Sequence, residues 1–155
     1  MNLTRSIGCM LLILLCSCNQ NTVYEQLDTN FSDNRWMKND TRTYNFTIAE
    51  AARNYDVVLH FAHSQGYQFA SVPLTVVIEN PDKTVTNKTI TLDIVAEDGK
   101  DKGECAGDYC DLYYTFITNE QLAAGPYKLS ISHSFQGDYL PNILGVGIEV
   151  IAAGD

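Results

Sequence analysis

Lys128-Leu129-Ser130-Ile131-Ser132-His133-Ser134-Phe135 alternates polar and apolar side chains without a break. A period of two marks a strand with one buried face, because successive Cβ atoms point to opposite sides of a sheet. Placing one side chain places them all. Leu129, Ile131 and Phe135 share the core face, and Lys128, Ser130, Ser132 and Ser134 face solvent or a partner. His133 lies on the apolar side, where a histidine with its ring hydrogen-bonded in the core or at its rim is expected.

The same period recurs on both sides of this stretch. Upstream, Tyr44, Phe46 and Ile48 alternate with Thr43, Asn45 and Thr47, followed by Val57, Leu59 and Phe61. Leu74, Val76 and Ile78 run into the turn Asn80-Pro81-Asp82, and Ile90, Leu92 and Ile94 end at Glu97-Asp98-Gly99. Leu112, Tyr114 and Phe116 form another strand, and Val146, Ile148 and Val150 the last, with Gly145 and Gly147 on its other face. Ala49–Arg53 and Thr118–Ala124 carry the helical hints, the latter with Thr118 and Gln121 at capping-box spacing. Short antiparallel strands joined by turn residues predict an all-β, jelly-roll-like antiparallel β-sandwich of about seven or eight strands, spanning residues 36–155.

The N-terminus reads as an export signal. Arg5 precedes an apolar run from Ile7 through Leu15, about nine residues and well short of the roughly 20 that span a bilayer. Leu15-Cys16-Ser17-Cys18 resembles the bacterial lipobox, so residues 1–17 read as a lipoprotein signal peptide and Cys18 as the lipid-bearing first residue of the mature protein. Cys16 fails the same test because Leu15 precedes it. Two or three acyl chains hold a protein on a membrane far more firmly than one, at ~0.8 kcal/mol per buried methylene. Residues 18–35 read as a lipidated N-terminus and polar tether. No acidic cluster follows Cys18 in Asn19-Gln20-Asn21, so a lipid-anchored, periplasm-facing position on the cell membrane or outer membrane is expected.

Loss of Arg5 with the signal moves the formal net charge from −9 to −10. Such acidity argues against nucleic acid or an anionic membrane surface as the main partner. Of the five cysteines, Cys105 and Cys110 remain for the domain. A disulfide is the expected state in an exported protein, with free thiols as the alternative. Closing so short a loop contributes about 2 kcal/mol at most. Two thiols with no nearby histidine or second cysteine pair fall short of four-coordinate zinc, so no metal set is expected.

Catalytic motifs are missing from the sequence: it has no Gly-x-Ser-x-Gly elbow, no His-Glu-x-x-His and no phosphate-binding glycine loop. His60 and His63, three apart on a strand, point to opposite faces and cannot share a metal without a bulge. Asp98, Asp101, Glu104 and Asp108 offer oxygens for Ca²⁺, but Lys100 and Lys102 sit among them and a solvated hairpin end is the simpler reading. Tyr67, Phe69, Tyr109, Tyr113 and Tyr139 could form a sugar-binding platform. No cofactor and no catalytic residues are expected.

Motif order carries a resemblance. Asp33-Asn34-Arg35-Trp36 with Lys38 and Asp40 is followed by Arg53-Asn54-Tyr55-Asp56-Val57 and Gly66-Tyr67-Gln68-Phe69-Ala70-Ser71-Val72-Pro73-Leu74. Glu79-Asn80-Pro81-Asp82-Lys83-Thr84, the glycines Gly103 and Gly107 with Asp108, the stretch Gly125–His133 and Leu144–Val150 complete the series. The sequence resembles the gliding-motility-associated lipoprotein GldH family of the Bacteroidetes, from about Tyr24 to Ile151. It departs from the family in carrying Lys100, Cys105 and Cys110 where a tryptophan is usual. The resemblance implies a membrane-anchored, non-enzymatic accessory component of the gliding-motility machinery, with envelope protein partners of motility or secretion. The competing expectation is a surface or periplasmic glycan-binding module.

Overall fold

A computed structural model describes residues 21–154; the expected signal peptide over residues 1–17, the expected lipidation site Cys18, and Asp155 lie outside the described residues. The strands are β1 (Thr22–Asp28), β2 (Arg35–Met37), β3 (Arg42–Ile48), β4 (Asn54–Ser64), β5 (Ser71–Glu79), β6 (Val85–Asp93), β7 (Glu104–Ala106), β8 (Tyr109–Gln121), β9 (Gly125–His133), β10 (Tyr139–Pro141) and β11 (Ile143–Ala152). They form a five-stranded sheet in the order β1-β11-β4-β8-β7, a four-stranded sheet in the order β3-β9-β5-β6, and a small β10-β2 pair. All pairings are antiparallel. The fold is an antiparallel β-sandwich.

Strand β9 carries the alternating stretch. Tyr127, Leu129, Ile131 and His133 are buried, Lys128 is exposed, and Ser130 and Ser132 are half-buried on the outer side. Phe135 lies beyond the end of β9 and is only partly buried, packed on Phe69 at 4.8 Å between ring centroids. Leu74, Val76 and Ile78 of β5 and Tyr44, Phe46 and Ile48 of β3 join β9 on the inner face. Across from them stand Leu59 and Phe61 of β4 and Val146, Ile148 and Val150 of β11. One buried hydrogen bond ties the layers: the Tyr44 hydroxyl donates to the Val146 carbonyl at 2.7 Å.

Two expectations need correction. Residues 18–35 do not read as a tether throughout, because Thr22–Asp28 is strand β1, paired with β11. Tyr24 reaches the Phe46 ring at 5.6 Å, and Phe31, nearly buried, meets Trp36 edge-on at 6.2 Å. Leu27 lies over the glycines of β11, and a Cβ on Gly147 would fall 2.3 Å from the Gln26 carbonyl oxygen, so β1 packs flush only because that residue is glycine. The sandwich therefore begins at Thr22. The second correction concerns Thr118–Ala124, whose first half is strand. Gln121 and Glu120 pair with Asn54 and Tyr55, and the register slips along the way. Asn119, at φ 51°, makes that slip possible, and Asp56 accepts its amide hydrogen at 2.6 Å.

Candidate functional site

On one side of the sandwich both sheets end in open strand edges. β7 covers only Tyr109–Asp111 of β8, and from Leu112 onward that edge of β8 has no strand beside it among the described residues. β6 pairs with β5 alone, so its outer edge is equally open. Thr86 and Lys88 point inward from β6, and Lys88 Nζ donates to the Phe116 carbonyl of β8 at 3.2 Å. An inward lysine on an edge strand discourages indiscriminate strand addition.

Behind this seam lies a cavity of about 100 Å³. Its wall is apolar, made by Phe46, Val57, Ile117, Leu122, Tyr127 and Leu129, and Thr86, Lys88 and Glu120 stand among its polar lining. Phe46 and Tyr127 stack at 5.2 Å with ring planes 3° apart, which keeps one wall flat. Pockets for small molecules run to roughly 300 Å³ and above. This one suits a single apolar side chain.

The histidines go where the strand parity puts them. His60 lies on the outer face, its Nε2 2.6 Å from Asp111 Oδ1 and its ring stacked on Tyr113 at 4.3 Å. Nearby, burial pushes the Glu149 carboxyl above its ordinary range, helped by Glu25 directly opposite in the register. His133 is buried and donates from Nε2 to the Trp36 carbonyl at 3.0 Å. Burial holds its pKa below the ordinary imidazole value, only partly offset by backbone hydrogen bonding.

That shift has a sign. A histidine kept neutral by folding takes up its proton more readily when unfolded, so its contribution is full above about pH 6.5 and is lost as pH falls below that value. Melting temperatures from about pH 7.5 to 5.5 should therefore fall further for the parent than for His133→Gln, whose amide can still donate to Trp36. Equal falls would contradict the assignment.

Tyr67, Phe69 and Tyr113 of the candidate set do not share a sugar platform. Tyr67 is buried, Phe69 packs into the aromatic cluster, and Tyr113 has one face on His60. Tyr113 and Tyr114, both exposed, are neighbours on one strand and point to opposite faces. In the acidic loop Asp98 accepts the Lys100 amide hydrogen and pairs with its ammonium at 3.0 Å, as a solvated turn does.

Cys105 and Cys110 are joined by a disulfide between cross-strand partners of β7 and β8. Register then brings in a residue that spacing could not: His63 of β4 pairs with Cys110 of β8. Sequence reasoning found no histidine near the cysteines because the neighbour arrives through strand pairing.

The description "GldH lipoprotein" matches residues 22–150, starting at the first residue of β1. The chain belongs to the GldH lipoprotein family. A relative described as "Gliding motility lipoprotein GldH homolog" from Christiangramia forsetii (strain DSM 17595 / CGMCC 1.15422 / KT0803) is 22% identical over 126 residues, covering 81% of this chain and 76% of the relative. Among solved structures, dimeric latent PorU from Porphyromonas gingivalis aligns with 85% of this chain at 12% identity and a TM-score of 0.35. The chain spans 13% of that protein's length. GldH membership makes this a gliding-motility-associated lipoprotein. No helix among the described residues is long and apolar enough to cross a membrane.

Proposed function

We propose that this GldH protein is a non-enzymatic accessory component of the gliding-motility machinery, anchored through Cys18 and facing the periplasm. Its partner is an extended segment of an envelope protein, which lies along the seam between β6 and β8. The cavity behind the seam carries this reading: it has an apolar inner wall with a polar mouth, lies between two free strand edges, and has room for one side chain. An extended segment finds backbone hydrogen-bonding groups on such edges and specificity in the pocket, as in β-strand addition. Deep apolar pockets at interface centres concentrate binding energy.

Thr86 is exposed at the mouth, so Thr86→Trp should block the cavity without touching the core. The lipidated protein, purified from its own membranes, should enrich envelope proteins of the motility machinery. Thr86→Trp should reduce that recovery by at least about tenfold at unchanged melting temperature, the loss expected when a central pocket contact worth about 1.4 kcal/mol or more is removed. Undiminished recovery would contradict the seam as the docking site.

The anchor has its own test. Cys18→Ala should abolish fatty-acid labelling and leave the precursor uncleaved. Continued labelling of that variant would place the lipid elsewhere.

A further inference from the structure

His63 is fully buried, and its Nδ1 lies 3.0 Å from the Ser64 carbonyl oxygen. A carbonyl only accepts, so Nδ1 carries the proton and Nε2 presents a lone pair. That Nε2 has no hydrogen-bond partner. What faces it is another acceptor, Asp101 Oδ1, at 3.6 Å. A buried lone pair aimed at a carboxylate is an arrangement that a cation between them would satisfy.

A third donor completes the corner. His63 Nε2, Asp101 Oδ1 and Cys110 Sγ all lie within 4.8 Å of one another. Zinc bonds of about 2.0–2.3 Å place tetrahedral ligand atoms roughly 3.3–3.8 Å apart, so a modest contraction suffices. Cys105 Sγ is bonded to Cys110 Sγ and occupies the same corner. The ligands are also held from behind: Ser64 orients the imidazole, and the Gly103 amide donates to Asp101 Oδ1 at 2.8 Å.

We propose that reduction of the Cys105–Cys110 disulfide converts this corner into a four-coordinate site for Zn²⁺ or a similar thiophilic divalent metal. Its ligands are Cys105 Sγ, Cys110 Sγ, His63 Nε2 and Asp101 Oδ1. A dithiol reductant supplies two electrons and two protons to the S–S bond and becomes a disulfide itself. The metal then binds both sulfurs as thiolates and releases their two protons to solvent. Disulfide and metal are mutually exclusive states of one hairpin end, so a bound metal shields the thiols from reoxidation. This inference is independent of the docking seam.

The detergent-solubilised mature lipoprotein, reduced with a phosphine under nitrogen and freed of reductant, is titrated with Co²⁺. One equivalent should give the thiolate-to-cobalt band in the near ultraviolet and the strong visible bands of tetrahedral cobalt, both erased by Zn²⁺. The oxidised protein should show neither band. His63→Gln and Asp101→Asn should each weaken binding by at least about tenfold, since even outer-shell changes at metal sites cost that much. Should His63→Gln fail to fold, Asp101→Asn, a loop substitution, decides the matter alone. Absence of binding to reduced protein, equal binding to oxidised protein, or unchanged affinity in Asp101→Asn would each overturn the proposal; the last would mean that the two thiols bind by themselves.

Discussion

Ile131→Ala is expected to lower stability by ~2–5 kcal/mol, the range for truncating a buried isoleucine, while Ser132→Ala changes it by less than about 0.5 kcal/mol. Ile131 is fully buried in β9, between Arg42 of β3 and Val76 of β5 in the register. Removing its side chain leaves a cavity at the centre of the four-stranded sheet, where neighbours on both sides are held by ladder hydrogen bonds and cannot close over it. Ser132, one residue on, points the other way. Urea melts of the two variants separate the faces: a shift in midpoint for Ile131→Ala alone is the expected result, with similar slopes. Two equal midpoints would mean that the register of β9 is wrong.

Trp36→Ala should cost ~3–5 kcal/mol, comparable to the largest core truncations. Trp36 has no exposed surface, and its indole Nε1 donates to the Asp40 carbonyl at 2.7 Å. Its ring meets His133 edge-on at 5.1 Å and Phe31 at 6.2 Å, so it joins the β2–β10 pair and the segment after β1 to the end of β9. Trp36→Phe keeps much of the packing but leaves the Asp40 carbonyl without its donor, and should cost less than the alanine change. Because Trp36 is the single tryptophan, circular dichroism rather than fluorescence must follow the melts. A loss below about 1 kcal/mol for Trp36→Ala would show that residues before β3 are not part of the cooperative unit.

Strands buried on one face announce themselves in sequence, and β3, β5 and β9 are of that kind. β1 does not, because Tyr24 covers Phe46 on one side while Leu27 covers Gly145 and Gly147 on the other. Apolar residues then fall on both parities and the period of two disappears. The end of β8 misleads for a different reason: the slips around Asn119 break the alternation and leave a spacing that mimics a helix start. The seam was illegible because Thr86 and Lys88, which point inward, read as ordinary polar residues of an edge strand. The corner at His63 is illegible in sequence because its members come from β4, the loop before β7, β7 itself and β8, and only register joins them.

Family membership supports a lipoprotein associated with motility, and the proposed docking seam lies on the open side of the sandwich. A photoreactive amino acid placed at position 86, in living cells of the source bacterium, tests this most directly. Cross-linking from position 86 to an envelope protein of the motility machinery, absent from the same probe at the exposed Asp138, is the predicted result. Equal capture from both positions, or none from position 86, would contradict it.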